Sequence, residues 1–408
     1  MIRIMSPRPQ RAEQLYDAAA KVFAGVGYFN YLRFCRQAYF AASTYDWNVS
    51  RVAEVDGQIV SHVGVWEYRM RVGGARLRTG GIGAVMTIDD YRRRGLSSRC
   101  MRSMLKAMRD AGYDYTVLFG RRDFYDRFGY VQAWPEAAYT VELADLPDTK
   151  LRLSLRKVSL AEALCERGAV MRIYNRENAT RTGSAERPIY YSAGSGLWHD
   201  YKCTTLNDSA GRVRGYLVTH IAGESLEVEE AGGLGAGCGV GQLLAGVRRL
   251  AIRSRCRRVC THHIAHDHPL CCALREGTCR AELRYIRSGG PMAAVVNLRQ
   301  CLEALGGELS DRLGRSAMKN FRGAVTIAGT GEQATLKIAN GQVRVAPRVM
   351  ATPNRIVAGH SAARLIIGSE PPAVLAEQSA VKFRGAGLGL AEALFPHQWP
   401  MLSAIDHY

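Results

Sequence analysis

Apolar residues follow two different periodicities in the first third of the chain. Residues 82–88 form a short apolar run that predicts a buried strand. Residues 96–108 carry apolar side chains at three- and four-residue spacing, which predicts an amphipathic helix. A second apolar run at 115–119 predicts another strand. The pattern therefore predicts a strand–helix–strand unit, with parallel strands joined by a right-handed crossover.

The elements around this unit predict a mixed α/β domain. Helical spacing extends over residues 10–23, and Asp56-Gly57 between two apolar runs predicts a β-hairpin. Gly73-Gly74 separates the second of those strands from a further strand at 75–78. We expect this first domain to end near Asp148.

The middle of the chain repeats the same order of elements more faintly. A strand at 225–230 precedes a glycine-rich loop at 232–241 and a helix at 242–252. The final hundred residues differ, because Asn340-Gly341 predicts a hairpin that helical segments follow. Those helices are expected at 362–367, 372–377 and 388–394. A hairpin sheet with helices over one face indicates an α+β module.

Length and composition limit the class of protein. A chain of 408 residues is too long for one core, so two or three domains are expected. No apolar run is long enough to span a membrane, and we expect a cytoplasmic protein. The formal charge of +18 suits anionic ligands. Because the basic residues are scattered and no nucleic-acid-binding motif accompanies them, nucleic acid is disfavoured as a partner.

Cysteine and histidine are concentrated between residues 256 and 279. The eleven cysteines of the chain lack the regular spacing of a disulfide framework, so we expect buried thiols. The spacing within this segment gives no paired zinc knuckle. We expect no metal. The segment consists of Cys256, Cys260, His262, His263, His266, His268, Cys271, Cys272 and Cys279.

Three consecutive arginines, Arg92, Arg93 and Arg94, stand on the apparent first turn of the predicted amphipathic helix. Cations at a helix N-terminus are unfavourable by a few tenths of a kcal/mol each, since the dipole favours anions there. A bound phosphate would reverse this cost by sitting on the free N–H groups. The alternative is a solvated basic face; we favour a phosphate-binding loop that includes Gly95.

The same residues carry a resemblance to a known family. Arg92-Arg93-Arg94-Gly95-Leu96-Ser97 resembles motif A of the GCN5-related N-acetyltransferases, with Ser97 departing at the last position. The segment from Phe124 to Tyr130 is similar to the Tyr-x-Arg-Phe-Gly-Tyr segment of the Eis-like members. The ending Ile405-Asp406-His407-Tyr408 is also similar, and the last domain resembles a sterol-carrier-like fold.

The resemblance implies three domains and a cofactor. The fold class is α/β and α+β: a catalytic acetyltransferase domain at 1–148, a degenerate acetyltransferase-like domain at 149–298 and a sterol-carrier-protein-like domain at 299–408. Acetyl-CoA is the expected co-substrate. Its pyrophosphate, pantetheine arm and acyl carbonyl would contact the motif A loop and the end of the preceding strand. The residues implied are Val85, Met86, Thr87, Arg92, Arg93, Arg94, Gly95, Leu96 and Ser97.

The catalytic groups are likewise implied by the resemblance. Tyr125 matches the family's general acid, although burial in an aromatic core would also explain it. The predicted strand at 82–88 offers no acid as a base, and the resemblance supplies the α-carboxylate of Tyr408. Ordinary alternatives for that base are Asp406, His62 and Glu67.

The acceptor is the least defined part of the expectation. The resemblance implies a primary amine on a small molecule or a lysine side chain, of the aminoglycoside, lysine or polyamine type, and a homo-oligomer, hexameric in Eis-like relatives. His407 stands where those relatives carry an acid, which weakens the case for a polycation. The alternative function is a carrier of lipid or another apolar ligand, built on the last domain with the acetyltransferase folds as scaffold.

Overall fold

A computed structural model describes residues 1–40, 44–165, 168–188, 201–233 and 237–408. Three sheets organise these residues, and each carries helices on its faces. No helix within these ranges is both long and apolar enough to cross a bilayer. All eleven cysteines carry free thiols, as the irregular spacing predicted.

The first third of the chain builds most of the first sheet. Its elements are β1 (Ile2–Met5), α1 (Ala12–Val22), α2 (Tyr28–Phe34), β2 (Arg51–Val55), β3 (Gln58–Val72), β4 (Ala75–Thr87), α3 (Leu96–Asp110), β5 (Tyr115–Arg121), α4 (Arg122–Tyr125), β6 (Val131–Gln132) and β7 (Glu136–Glu142). The predicted strand, helix and strand are thus β4, α3 and β5. The segments predicted at 75–78 and 82–88 are one continuous strand.

The middle of the chain builds most of the second sheet. Its elements are β8 (Ser154–Val158), α5 (Leu160–Ala163), α6 (Ala169–Glu177), β9 (Lys202–Asn207), β10 (Val213–Ala222), β11 (Ser225–Gly232), α7 (Val240–Arg253), β12 (Arg258–Thr261), α8 (Pro269–Leu274), β13 (Arg280–Arg284) and β14 (Ser288–Val295). The unit β11–α7–β12 repeats the β4–α3–β5 arrangement, because both strand pairs are parallel. Part of the glycine-rich loop predicted at 232–241 lies outside the described residues.

The last part of the chain forms the third sheet and its helices. Its elements are α9 (Leu298–Ala304), α10 (Gly306–Gly314), β15 (Gly323–Gly329), β16 (Gln333–Ala339), β17 (Gln342–Val345), β18 (Arg355–Gly359), α11 (Ala362–Ile367), α12 (Pro372–Glu377), β19 (Lys382–Arg384) and α13 (Gly387–Leu394). The Asn340-Gly341 hairpin joins β16 to β17, as predicted.

The first two sheets exchange strands. The first runs β1-β2-β3-β4-β5-β14-β6, and the second runs β13-β7-β12-β11-β10-β9-β8. Strand β14, late in the chain, lies between β5 and β6, whereas β7 crosses into the second sheet. Strands β7 and β14 each pair with strands from the other side of the boundary predicted near 148. The third sheet, by contrast, lies wholly after the boundary predicted near 298.

Candidate active site

Strands β4 and β5 separate to open a cleft at their carboxyl ends. They pair in parallel only from Thr79 and Tyr115 to Ile82 and Leu118. Beyond this point a bulge deflects β4, and Ala84 adopts a φ of 45°. The cleft has a volume of about 790 Å³.

Histidine His62 on β3 holds that bulge. Its Nδ1 lies 2.8 Å from the Ala84 carbonyl oxygen, so Nδ1 carries the proton and donates, and Nε2 lies 2.7 Å from the Tyr45 hydroxyl. Burial lowers the pKa of His62 to about 4. His62 is therefore a neutral structural residue, poorly suited to be the base at neutral pH.

Residues 92–95, which we call the arginine loop, lie at the mouth of the cleft. Helix α3 begins at Leu96, so the three arginines precede the helix, and our prediction that they occupy its first turn was wrong. The reason is the backbone: Arg93 and Gly95 have φ values of 61° and 71°, which no helical turn contains. The start of α3 still lines the cleft, and the N–H groups of a first helical turn have no partner within their own helix.

Most of the predicted cofactor residues share this cleft. Arg92 also forms an ion pair with Asp89 at 2.8 Å, and Ser97 Oγ lies 2.8 Å from Thr87 Oγ1. Arg94 differs, because its guanidinium packs over the Tyr91 ring and donates to the Asp90 carbonyl at 3.0 Å. The predicted residues that line the cleft are Val85, Met86, Thr87, Arg92, Arg93, Gly95, Leu96 and Ser97.

Tyr125 lines the opposite wall, at the end of α4. A Cβ at Gly120 would come within 2.7 Å of Tyr125 Cδ2, so glycine at this position on β5 makes room for the ring. Burial raises the pKa of Tyr125 to about 12. The phenol therefore keeps its proton at neutral pH and is available as an acid.

The chain ends against β4. A Cβ at Gly81 would lie 2.6 Å from Tyr408 Cζ, and one at Gly83 would lie 3.0 Å from the Tyr408 carboxyl carbon. The terminal carboxyl group thus rests on β4 just before the bulge at Ala84. These two glycines were not among the predicted site residues, although three glycines within one strand, Gly80, Gly81 and Gly83, are a signal of close approach.

Buried ion pairs hold this tail. Arg187 Nε lies 2.7 Å from Asp406 Oδ1, while its Nη1 and Nη2 donate to Glu230 at 2.9 and 2.6 Å. The Tyr174 hydroxyl donates to Asp406 at 2.9 Å. Asp406, two residues before the terminus, is therefore tied to α6 and β11. We call Arg187, Glu230 and Asp406 the tail anchor.

The other two alternative bases, Asp406 and Glu67, are both engaged in ion pairs. Asp406 is 1% exposed and already ion-paired. The Arg78 guanidinium, 2.7 Å from Glu67, holds the pKa of that carboxyl below its usual range. Neither carboxylate is free to take a proton from an amine.

The aromatic residues Tyr28, Phe29, Tyr31 and Phe34 of α2, which could line an acceptor pocket or belong to the core, are divided between core and surface. Tyr31 and Phe34 are buried with α1, whereas Phe29 is 81% exposed. The Tyr28 hydroxyl donates to Asp17 at 2.7 Å. A different cleft of about 860 Å³ borders Tyr68, whose ring centroid lies 5.9 Å from that of Tyr408.

The cysteine–histidine segment does not form a single cluster in the described residues. Cys256 and Cys271 belong to the core under α7, and His268 caps α8 by accepting from the Leu270 N–H at 3.1 Å. Cys260 and His262, by contrast, lie beside Glu227 of β11, which the sequence pattern did not include.

Residues 3–133 match the family model of the acetyltransferase (GNAT) domain. The matched region is thus an acetyltransferase domain, and it contains most of the residues that line the cleft. The match covers the strands of the first sheet other than β14, and it includes the arginine loop and Tyr125.

Solved structures resemble the chain over its whole length. A GCN5-related N-acetyltransferase from Anabaena variabilis has a TM-score of 0.77 at 16% identity, with 100% of each chain covered. Eis1 from Mycobacterium abscessus has a TM-score of 0.69 at 16% identity, covering 98% of this chain and 99% of that one. At this identity the likeness shows the fold. Comparison with curated protein sequences gives no match.

Proposed function

We propose that the protein transfers an acetyl group from acetyl-CoA to a primary amine by direct attack in a ternary complex. The observation that carries this proposal is that the arginine loop and the buried Tyr125 phenol line one cleft, while the terminal carboxyl group rests on β4, the strand whose end lines the same cleft. Together they match the needs of acyl transfer from a thioester.

The arginine loop and the splayed end of β4 would hold acetyl-CoA. Arg92 and Arg93 supply positive charge, and Gly95 allows the backbone to approach a pyrophosphate closely. Val85 and Thr87 would pair through backbone groups with the pantetheine arm. Acetyl-CoA would supply the thioester carbon that the amine attacks.

Proton transfer would then involve both ends of the site. The Tyr408 carboxylate would accept a proton from the acceptor ammonium, and the resulting amine would attack the acetyl carbon. Collapse of the tetrahedral species would release a thiolate, to which Tyr125 would give its proton. Tyr408 lies behind the tail anchor, so the second domain would serve to position the base.

The class of acceptor amine is also part of this proposal, and it rests on the charges that line the cleft beside Tyr68. The cleft beside Tyr68 presents the carboxylates of Asp46 and Glu186, but also the guanidinium groups of Arg69 and Arg76. Such a mixed lining favours an acceptor with one amine over a polycation. The proposal extends to a cytoplasmic homo-oligomer and a sterol-carrier-like third domain.

The apolar-ligand alternative is not favoured by the packing of the third domain. A carrier would enclose a hollow under its sheet. Instead, Val325, Ile327 and Leu336 belong to one continuous core with the helices that cover them and with strands of the first sheet. The third domain is thus a packed support for the first.

The proposal is tested by thiol release from acetyl-CoA with the purified full-length protein. The acceptors to compare are aminoglycosides, polyamines, lysine peptides and hydrophobic monoamines. Turnover with a monoamine and not with polyamines is expected from the mixed cleft. Acetyl-CoA binding without turnover on any amine would refute the proposed reaction.

Replacing Arg92 and Arg93 together with alanine should weaken acetyl-CoA binding about 10- to 100-fold, because two charged hydrogen-bond donors are lost from a half-open site. Isothermal titration calorimetry measures this change. Arg94→Ala is the matched control, since its side chain turns to Tyr91. Equal losses in the control and the double variant would contradict the assignment.

Gly81→Ala should lower turnover by displacing the tail, because the added methyl group would overlap the Tyr408 ring. Gly80→Ala is the matched control: its methyl group meets Val65 and the flexible end of Met108 on the other face. Both changes overpack β4 at a cost of about 1–3 kcal/mol. The melting temperatures of the two variants show whether they lose similar stability. Only Gly81→Ala should also reduce kcat. Equal kcat values in the two variants would show that the position of the tail does not affect catalysis.

A further inference from the structure

A set of metal-ligating side chains lies on the second sheet, outside the acetyl-CoA cleft. Leu226 and Val228 of β11 enter the core under α7. Glu227, between them, therefore faces the opposite side of the sheet. In the parallel pairing of β11 with β12, Glu227 is directly opposite Cys260. The two side chains share a face because paired residues point to the same side.

His262 completes the set. It follows Cys260 by two residues, and its backbone N–H continues the pairing by donating to the Val228 carbonyl at 3.0 Å. Its Nε2 lies 2.7 Å from Glu227 Oε2 and 3.3 Å from Cys260 Sγ. The three ligand atoms all lie within 4.8 Å of one another. Backbone pairing, rather than a flexible loop, fixes this approach.

We propose that Glu227, Cys260 and His262 bind one divalent transition-metal ion, with Zn²⁺ the best match. Zinc takes thiolate, imidazole and carboxylate ligands, and tetrahedral bond lengths place such ligands about 3.3–3.6 Å apart. The 3.3 Å between His262 Nε2 and Cys260 Sγ already lies near that spacing, and the 2.7 Å between His262 Nε2 and Glu227 Oε2 would widen to reach it. The fourth position is left for water, as in three-ligand zinc sites.

Charge and burial suit a bound dication. One thiolate, one carboxylate and one neutral imidazole balance the two positive charges. Binding would release the thiol proton, and any proton on His262 Nε2, to solvent. Glu227 and Cys260 are 7% and 8% exposed, so this is not a solvated acidic surface. The Thr140 hydroxyl donates to Cys260 Sγ at 3.3 Å and so helps to hold the sulfur in place.

The charged residues around these three ligands are compatible with a bound cation. Arg284 Nη2 lies 3.5 Å from His262 Nδ1 and 3.5 Å from a Glu136 carboxylate oxygen. Its side chain is 45% exposed, so it can turn to Glu136 when Nδ1 bears the proton. Next to the site, His263 is hydrogen-bonded to Glu229 at 2.8 Å, and the His263 ring lies 5.1 Å from that of His407. A metal here would fix the strand ends that the C-terminal tail passes.

Cobalt substitution tests the site without any measurement of acetyl transfer. The full-length protein, stripped with a chelator, is titrated with Co²⁺ and then with Zn²⁺. We expect one equivalent of Co²⁺ to bind with a thiolate-to-metal charge-transfer band and tetrahedral visible bands, and Zn²⁺ to displace it. Cys260→Ser should remove the charge-transfer band. It should also weaken binding by more than the 10- to 100-fold that loss of an outer-shell partner costs.

The matched control is Cys272→Ser, which removes an exposed thiol of the same segment. It should leave the cobalt spectrum unchanged. His262→Gln is a second test that keeps the thiol, and it should lower the affinity as Cys260→Ser does. Absence of stoichiometric cobalt binding, or a charge-transfer band that survives Cys260→Ser, would overturn the proposal. Because the readout is spectroscopic, its failure is independent of the proposed acetyl transfer.

Discussion

Two glycines appended after Tyr408 are expected to lower kcat by at least about 100-fold, the lower end of what a general base contributes. The extension moves the terminal carboxylate away from β4, where it lies within 3.0 Å of the position a Gly83 Cβ would take. Acetyl-CoA binding should stay within about twofold, since the arginine loop is untouched. Stopped-flow turnover and calorimetric binding on the same preparation measure both quantities.

The same two glycines placed before Met1 provide the control, because Met1 is exposed and remote from the cleft. A sharper version replaces the terminal carboxylate by an amide through protein ligation, which removes the charge while keeping every carbon. If the amidated protein turns over at the rate of the unmodified one, Tyr408 is not the base. Loss in both the extended and amidated proteins, with unchanged melting temperature, assigns the role to the carboxylate.

Tyr125→Phe is expected to lower kcat by about 10²- to 10³-fold and to leave acetyl-CoA binding unchanged, because only the donated proton is lost. Burial raises the pKa of Tyr125 to about 12, and a group with a raised pKa keeps its proton until the pH approaches that value. The unmodified enzyme should therefore show no loss of kcat from this group below about pH 10, the usual tyrosine value. A pH–rate profile measures this.

Tyr130→Phe is the matched control for that variant. Tyr130 belongs to the same segment and is fully buried, but its hydroxyl lies 3.0 Å from Thr116 Oγ1 in the core. Its loss should cost stability and spare kcat. A Tyr125→Phe enzyme as active as the Tyr130→Phe one would remove Tyr125 from the mechanism and leave it as a packing residue.

Local patterns were predictable from the sequence because they depend on neighbouring residues. The strand–helix–strand unit, the hairpins and the helices of the last hundred residues all follow from periodicity and turn chemistry. The position of the arginines did not, because positive φ values at Arg93 and Gly95 delay the helix by a turn. Single-residue backbone conformations of this kind leave no periodic signal.

Contacts between segments that are distant in the sequence could not be predicted from periodicity. Arg71, a charged residue near the end of β3, is buried and donates a hydrogen bond to Asn175 of α6 at 2.8 Å, a contact between segments about a hundred residues apart. The tail anchor joins Arg187 to Glu230 and Asp406, three residues scattered over 220 positions without a shared motif. The exchange of β7 and β14 depends equally on pairing between distant segments.

Strand exchange also determines when the first sheet can be completed during synthesis of the chain. The wall of the cleft that contains β5 is bordered by β14, which leaves the ribosome some 170 residues after β5 does. Loop closure over such a distance is slow, and the emerging first domain must wait with an unpaired strand edge.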